Sequence, residues 1–131
     1  METPCVADFL AGSGRQVEIF HRWTALGREV DRYTMGTMMM RLEQGKVLIH
    51  TGRTLVGITG DEIDLISPWT GQAEQIDGFD NIVLVYGSSP DTRLYDDLED
   101  RVERLFLVGS AWVPRQLAEA TRHGMKVGLA V

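Results

Sequence analysis

The order of predicted elements in the first 50 residues constrains the fold more than any other feature of this sequence. Capping residues and apolar spacing predict helices over residues 3–13 and 34–44. Alternating apolar and polar residues predict short strands at Gln16–Phe20 and Lys46–His50. An order of helix, strand, helix and strand is typical of parallel strands joined by helical crossovers. The sequence therefore predicts an α/β fold.

Each of these two helices carries one apolar face. In the first helix, that face is expected to contain Val6, Phe9 and Leu10. In the second helix, a stripe at helical spacing consists of Met35, Met38, Met39 and Leu42. Thioether sulfurs can bind soft metals, but methionine also fills irregular gaps in protein cores. We interpret the stripe as core, so that Met39→Ala is expected to cost ~2–5 kcal/mol of stability.

The middle of the chain has a different pattern. Three short segments alternate between apolar and polar residues, at Leu55–Thr59, Glu62–Ile66 and Gln72–Ile76. The two-residue signal Gly60-Asp61 and the turn residues Pro68–Gly71 separate them. This pattern predicts an antiparallel meander.

The last third of the chain again alternates between strand and helix patterns. Asn81–Tyr86 is almost entirely apolar, which predicts a strand covered on both faces. A short acidic helix is predicted within residues 91–103, and a second apolar strand at Leu105–Val108. Pro114–Leu129 is predicted to be the final helix, with proline near its first turn.

Composition excludes several classes of protein. The 131 residues correspond to one ordinary domain or two partial ones, with 44% apolar and 24% charged residues. A net charge of −6 does not favour binding to nucleic acid or to an anionic membrane, because both are negatively charged. The single cysteine, Cys5, excludes an internal disulfide and a cysteine-based metal site, and the three histidines lack metal-ligand spacing. We expect a cytoplasmic protein with no membrane segment and no bound metal.

The first element is a helix, although a parallel α/β unit normally begins with a strand. In a dinucleotide-binding unit, a central strand and a G-x-G-x-x-G loop precede the helix that holds the pyrophosphate. Here Gly12-x-Gly14 lies at the other end of the helix, where it is expected to form a C-terminal turn. We therefore expect an incomplete unit that lacks the first strand and its glycine loop.

Four stretches together resemble one enzyme family. They are Met1–Phe20, the Met-rich helix Thr34–Gln44, the strand and glycine turn Ile82–Pro90 (I-V-L-V-Y-G-S-S-P), and Leu105–Gly128. In this order they are similar to the C-terminal region of the flavin oxidoreductases that include trimethylamine, dimethylamine and histamine dehydrogenases and bacterial dienoyl-CoA reductase. Those enzymes join an Old-Yellow-Enzyme-like FMN barrel and an iron–sulfur site to a C-terminal region that resembles glutathione reductase.

The resemblance implies an incomplete Rossmann-like fold of the glutathione-reductase type, with parallel strands and an antiparallel meander. Residues 1–90 would form part of an NAD(P)- or ADP-type dinucleotide unit that includes the meander. Residues 91–131 would form the closing strand and helix of an FAD-type unit. The resemblance implies FAD, ADP or NAD(P) as cofactors, and we expect the isolated chain to retain none of them.

The last of the four stretches, Leu105–Gly128, resembles the closing motif of the family, which is a strand, a glycine turn and a helix. It supplies most of the candidate cofactor-binding residues. In the family, an aspartate after the glycine corresponding to Gly109 binds ribitol or ribose hydroxyls of FAD, and here Ser110 takes its place. Serine cannot offer the two acceptor oxygens of a carboxylate. The predicted N-terminus of the last helix could meet a phosphate or a flavin carbonyl oxygen through its free N–H groups. The residues assigned to it are Pro114, Arg115, Gln116 and Leu117.

A further candidate is Arg22, which directly follows the first predicted strand. In complete dinucleotide folds this strand end meets the adenosine ribose, where an acid suits NAD and an arginine suits a 2′-phosphate. Arg22 then favours NADP or ADP, or else it is a solvated surface arginine.

Two functions of different classes follow. The first is an accessory or truncated nucleotide-binding part of a flavin-dependent oxidoreductase, not catalytic alone and dependent on a flavin-bearing chain. The second is a non-catalytic module that binds a nucleotide or a partner protein, including a homo-oligomer. Neither assigns a catalytic residue within the chain.

Overall fold

The structure, a computed structural model, describes residues 2–28, 30–115 and 117–131 and has a mixed α/β fold. The helices are α1 Glu2–Gly12, α2 Arg32–Gln44, α3 Arg93–Leu98 and α4 Leu117–Gly128, and the strands are β1 Glu18–His21, β2 Leu48–Thr51, β3 Thr54–Thr59, β4 Glu62–Ile66 and β5 Ala73–Ile76. Contacts divide the chain into one unit that ends at Val85 and another that begins at Tyr86. The assignment of residues 1–90 and 91–131 to two nucleotide-binding units stays a prediction.

The parallel pair of strands was correctly predicted. β1 and β2 run parallel, with Glu18 opposite Leu48 and His21 opposite Thr51, and α2 lies between them in the chain. This helix begins two residues earlier than predicted because Asp31 caps it. The carboxylate of Asp31 accepts hydrogen bonds from the backbone N–H groups two and three residues further on, at 3.0 and 2.9 Å.

The core of the first unit lies where α1 and α2 pack against this sheet. Its buried residues are Ala7, Ile19, Leu26, Leu42 and Val47. The predicted apolar face of α1 was wrong, because Phe9 is 73% exposed and Val6 is 36% exposed. The small residues Pro4 and Ala7 face inward instead. Small side chains allow the helix to approach its neighbours closely, which leaves the larger ones outside.

The methionine stripe of α2 is only partly core. Leu42 is fully buried, and Met35 and Met38 are partly buried against the core. Met39 is 40% exposed, and it borders a shallow groove with Met40 and Leu48. The prediction that Met39 is buried was therefore wrong. Successive helical residues turn by about 100°, so the contact with the sheet covers only part of a wide stripe.

The antiparallel meander was also correctly predicted. β4 pairs with β3 on one side and β5 on the other, and a bulge at Val56 interrupts the β3–β4 register. Gly60 has a φ of 65°, which a tight turn between β3 and β4 requires and glycine adopts without strain. In β4, Ile63 and Leu65 are buried, whereas Glu62, Asp64 and Ile66 are only partly buried. This alternation matches the period of a strand with one covered face.

Two predicted strands do not form. Neither Asn81–Tyr86 nor Leu105–Val108 is a strand, and both leave apolar side chains at the surface. Val83 and Leu84, for example, are each 58% exposed. A strand requires a neighbour that completes its hydrogen bonds, and no described segment pairs with either run. High β propensity was therefore insufficient to make either run a strand.

The two helices of the second unit were correctly predicted, although the bounds of the last one differ. α3 covers Arg93–Leu98, within the predicted range, and α4 covers Leu117–Gly128 rather than Pro114–Leu129. Among the described residues from Tyr86 onward, none is buried. No helix in the described part of the chain is long and apolar enough to cross a membrane.

Candidate functional site

The carboxyl ends of β1 and β2 lie at the same edge of the parallel sheet. In open α/β folds this edge is where ligands usually bind. The backbone N–H of Gly52 donates to the carbonyl of Trp23 at 3.2 Å, and that of Arg53 donates to the carbonyl of His21 at 3.1 Å. These bonds hold the loops that follow the two strands side by side. A ligand at this edge would therefore meet residues of both loops.

Two arginines share one tryptophan in the loop that follows β1. The guanidinium carbon of Arg22 lies 5.0 Å from the centre of the Trp23 ring, and that of Arg28 lies 5.2 Å from it. The indole is half-buried, with 46% of Trp23 exposed. Such contacts are cation–π interactions, which hold guanidinium groups in place and leave their N–H donors available. The arrangement can present two cations and an aromatic face to an anionic ligand.

The loop that follows β2 adds a neutralised cation, and a tryptophan from the turn between β4 and β5 packs against this loop. Arg53 forms an ion pair with Glu74 of β5, with Nε and Oε2 2.8 Å apart. Gly52 has a φ of 65°, and the ring of Trp69 lies directly against its Cα, where a Cβ would overlap it. Glycine is therefore required here for both conformation and space. Since Glu74 holds Arg53, the loop after β1 supplies the cations best placed for a ligand.

His21 lies at the junction of β1 and this arginine pair. Partial burial lowers the pKa of His21 below 6.5, the positive charge of Arg22 lowers it further, and a hydrogen bond with the backbone of Ala25 opposes both. The imidazole is therefore held in its neutral form to a lower pH than usual. A bound anion next to Arg22 would counteract this effect.

The stability of the folded chain is expected to fall as the pH drops through 6.5 toward the lowered pKa of His21. In that interval the unfolded state binds more protons than the folded state, so the free energy of unfolding rises with pH. Melting temperatures between about pH 5 and 8 would measure the slope. In the His21→Gln variant the slope should be shallower, and an identical slope in both proteins would contradict the assignment.

The described residues predicted at the closing motif are close in sequence, and each of them is exposed or partly buried. Gly109 has a φ of 63° and begins a short 3-10 turn, Gly109–Ala111. Its carbonyl accepts hydrogen bonds from the N–H groups of Trp112 and Val113, both at 3.1 Å. Ala120 of α4 leaves room for a Cβ at Gly109, which would lie 3.5 Å from that of Ala120. Glycine is therefore needed for the left-handed conformation rather than for close packing.

The other predicted residues of this stretch lie before or at the start of α4. Ser110 and Arg115 are exposed, Pro114 is partly buried, and Leu117, the first helical residue, is 82% exposed. Gln116 lies outside the described residues. The stretch thus brings five of the predicted residues together by sequence proximity, whereas Arg22 belongs to the first unit. Their roles in cofactor binding stay predictions.

Sequence reasoning identified Arg22 but missed its two neighbours. Trp23 and Arg28 lie in residues 21–33, between the first predicted strand and the second predicted helix, where the sequence shows no clear helix or strand periodicity. A signal existed, because an aromatic residue follows Arg22 directly and Gly27 marks a turn before Arg28. The described residues contain no group of three potential metal-binding side chains.

Comparisons with known proteins support the fold but identify no family. No protein-family model matches the chain. A thioredoxin reductase from Escherichia coli O157:H7 is 25% identical over 93 residues, which cover 67% of this chain and 28% of that protein. The identity is too low to establish membership of its family.

Three solved structures share the fold over nearly the whole chain. Histamine dehydrogenase from Rhizobium sp. 4-9 has a TM-score of 0.83 at 22% identity, and the match covers 95% of this chain and 20% of that enzyme. The 6-hydroxypseudooxynicotine amine oxidase from Pseudomonas geniculata N1 has a TM-score of 0.84 at 21% identity, covering 95% and 19%. A 2-naphthoyl-CoA reductase has a TM-score of 0.80 at 19% identity, covering 98% and 19%. The chain therefore spans about one fifth of each of these proteins.

Proposed function

We propose that this chain is a nucleotide-binding part of a flavin-dependent oxidoreductase of the amine dehydrogenase type and is not catalytic alone. The observation that carries the proposal is the pair of arginines on Trp23 at the carboxyl end of β1. The likeness in fold to larger oxidoreductases supports it. Since the chain spans a fifth of their length, the chemistry would require flavin-bearing sequence beyond these residues, in the same polypeptide or in a partner chain.

The arginine pair favours a phosphorylated adenosine as ligand. A guanidinium group donates two parallel hydrogen bonds to a phosphate, and two such groups can hold one dianionic phosphate. Trp23 is 46% exposed, so its indole ring could also contact a purine base. The 2′-phosphate of NADP and the terminal phosphate of ADP are singly linked phosphates that can carry two charges and meet these requirements, whereas NAD has no 2′-phosphate and each phosphate of its diphosphate carries one charge.

The described residues between Gly109 and Leu117 do not form a flavin pocket by themselves. An isoalloxazine ring is large and aromatic, and pockets for such ligands usually bury most of the ligand's surface. The described residues of this unit include no buried side chain, and Ser110 is exposed. These residues could contribute to a flavin site only beside another chain or segment, and the expectation that the isolated chain retains no cofactor stays a prediction.

Replacement of Arg22 by alanine is expected to weaken binding of ADP or NADP at least ~10-fold, because a hydrogen bond to a charged group is worth about 1.5–3 kcal/mol. Titration calorimetry with ADP, NADP and NAD would measure the three affinities. Arg28→Ala should have a similar effect, and Arg104→Ala, at an exposed arginine of the second unit, is the matched control. Equal affinities for the three nucleotides, or equal losses in all three variants, would contradict the assignment.

A second candidate, a protein-interaction module, has one observation in its favour. Three exposed apolar residues lie eight and four positions apart on α4 and directly after it: Leu117, Met125 and Leu129, at 82%, 68% and 79%. Apolar stripes of this kind usually contact another protein surface. Failure of the wild-type chain to bind any of the three nucleotides would favour this function over the first.

A further inference from the structure

One edge of β1 is open. The carbonyl of Val17 accepts a hydrogen bond from Leu48 at 3.0 Å, and that of His21 accepts one from Arg53 at 3.1 Å. Backbone groups alternate between the two sides of a strand. The N–H and C=O groups of Glu18 and Phe20 therefore point away from β2, and no described strand lies on that side. The edge offers two donors and two acceptors to a further strand.

The same unit contains an apolar run without a strand partner. Ile82–Val85 consists of four aliphatic residues, three of them β-branched, and strongly favours an extended conformation. None of its side chains is fully buried: Ile82 and Val85 are partly buried, and Val83 and Leu84 are each 58% exposed. The run has the same length as β1, which spans four residues. It therefore has the composition and length of the strand that the open edge lacks.

Charges next to the two segments are complementary. Arg15 precedes β1 and Arg22 follows it, while Asp77 and Asp80 precede the apolar run. All four of these residues are exposed. Because both ends of β1 are basic, either a parallel or an antiparallel arrangement would bring an aspartate near an arginine. Each such pair would favour association of two copies and would be weakened by salt.

We propose that Ile82–Val85 of one copy adds as a strand to the open edge of β1 in a second copy, and that the exchange is reciprocal. Strand addition uses main-chain hydrogen bonds for affinity and side chains for specificity. A reciprocal arrangement has two-fold symmetry and closes as a dimer instead of growing into a filament. It covers two apolar runs and two strand edges in one symmetric interface.

The Glu18→Pro variant tests how much the backbone hydrogen bonds of the open edge contribute to the dimer. Glu18→Pro removes an N–H that faces the open edge and spares the hydrogen bonds between β1 and β2. Glu18→Thr also removes the 2.9 Å contact between the Glu18 carboxylate and His50 Nε2, but it retains the N–H and is the matched control. Light scattering across a concentration series should show a dimer for the wild-type chain and for Glu18→Thr. The dimer dissociation constant should rise at least ~10-fold in Glu18→Pro, with its circular dichroism unchanged.

A pair of aspartate substitutions tests the apolar run. Leu84→Asp places a charge within the proposed strand, and Val56→Asp places the same charge on β3 at a residue that is 63% exposed. Only Leu84→Asp should dissociate the dimer, and added salt should weaken the wild-type dimer. A monomeric wild-type chain, growth beyond a dimer, or equal effects of the two aspartates would overturn the proposal. A strand of another protein would then be the occupant of this edge.

Discussion

Replacing Leu42 by alanine is expected to lower the free energy of unfolding by ~2–5 kcal/mol. Leu42 is fully buried and packs in the core that contains Ala7, Ile19 and Val47. The substitution removes apolar contacts and leaves a cavity, since helix and sheet on either side can only partly close it. A loss of this size is a large fraction of the ~5–15 kcal/mol that stabilises most domains. Denaturant titration followed by tryptophan fluorescence and circular dichroism would measure it.

Met39→Ala is the matched control for this experiment. Met39 lies on the same helix, but it is 40% exposed and borders an open groove instead of the core. Truncating it should therefore cost well under half as much as truncating Leu42. Equal losses in the two variants would restore the sequence-based expectation that the whole stripe is core. A melting temperature that depends on added metal would instead indicate a ligand role for the methionines.

Leu65→Ala is expected to have a similarly large effect, ~2–5 kcal/mol, on the antiparallel meander. Leu65 is 1% exposed and lies in β4, the central strand, which pairs with strands on both sides. Loss of its side chain removes the contacts that hold one face of this sheet away from water. Hydrogen exchange of the β4 amides would localise the effect, because it reports local opening as well as global unfolding.

Val56→Ala in β3 is the control for the meander. Val56 lies at the bulge between β3 and β4 and is 63% exposed. Its truncation should change stability and amide exchange only slightly, as is usual for surface positions. If it costs as much as Leu65→Ala, the meander must pack its other face against a further surface in solution.

The candidate site was only half accessible to sequence reasoning. Arg22 was identified because it directly follows a predicted strand, where an established rule places the nucleotide ribose. Trp23 and Arg28 were missed because a loop has no periodicity from which side-chain proximity could be predicted. Their association depends on the turn at Gly27, which returns the chain toward Trp23. Only the tertiary structure shows that two guanidinium groups lie over the same ring.

Local patterns in the sequence were sufficient for the parallel pair, the second helix and the meander. Each of these elements finds its partners within a few tens of residues, as β1 does in β2 and β4 in its two neighbours. The apolar runs at Ile82–Val85 and Leu105–Val108 have equally clear patterns, yet they remain without strand partners. Propensity acts residue by residue, whereas a strand exists only when a second backbone satisfies its hydrogen bonds. Burial follows the same rule, because an apolar residue such as Phe9 is covered only where another element packs against it.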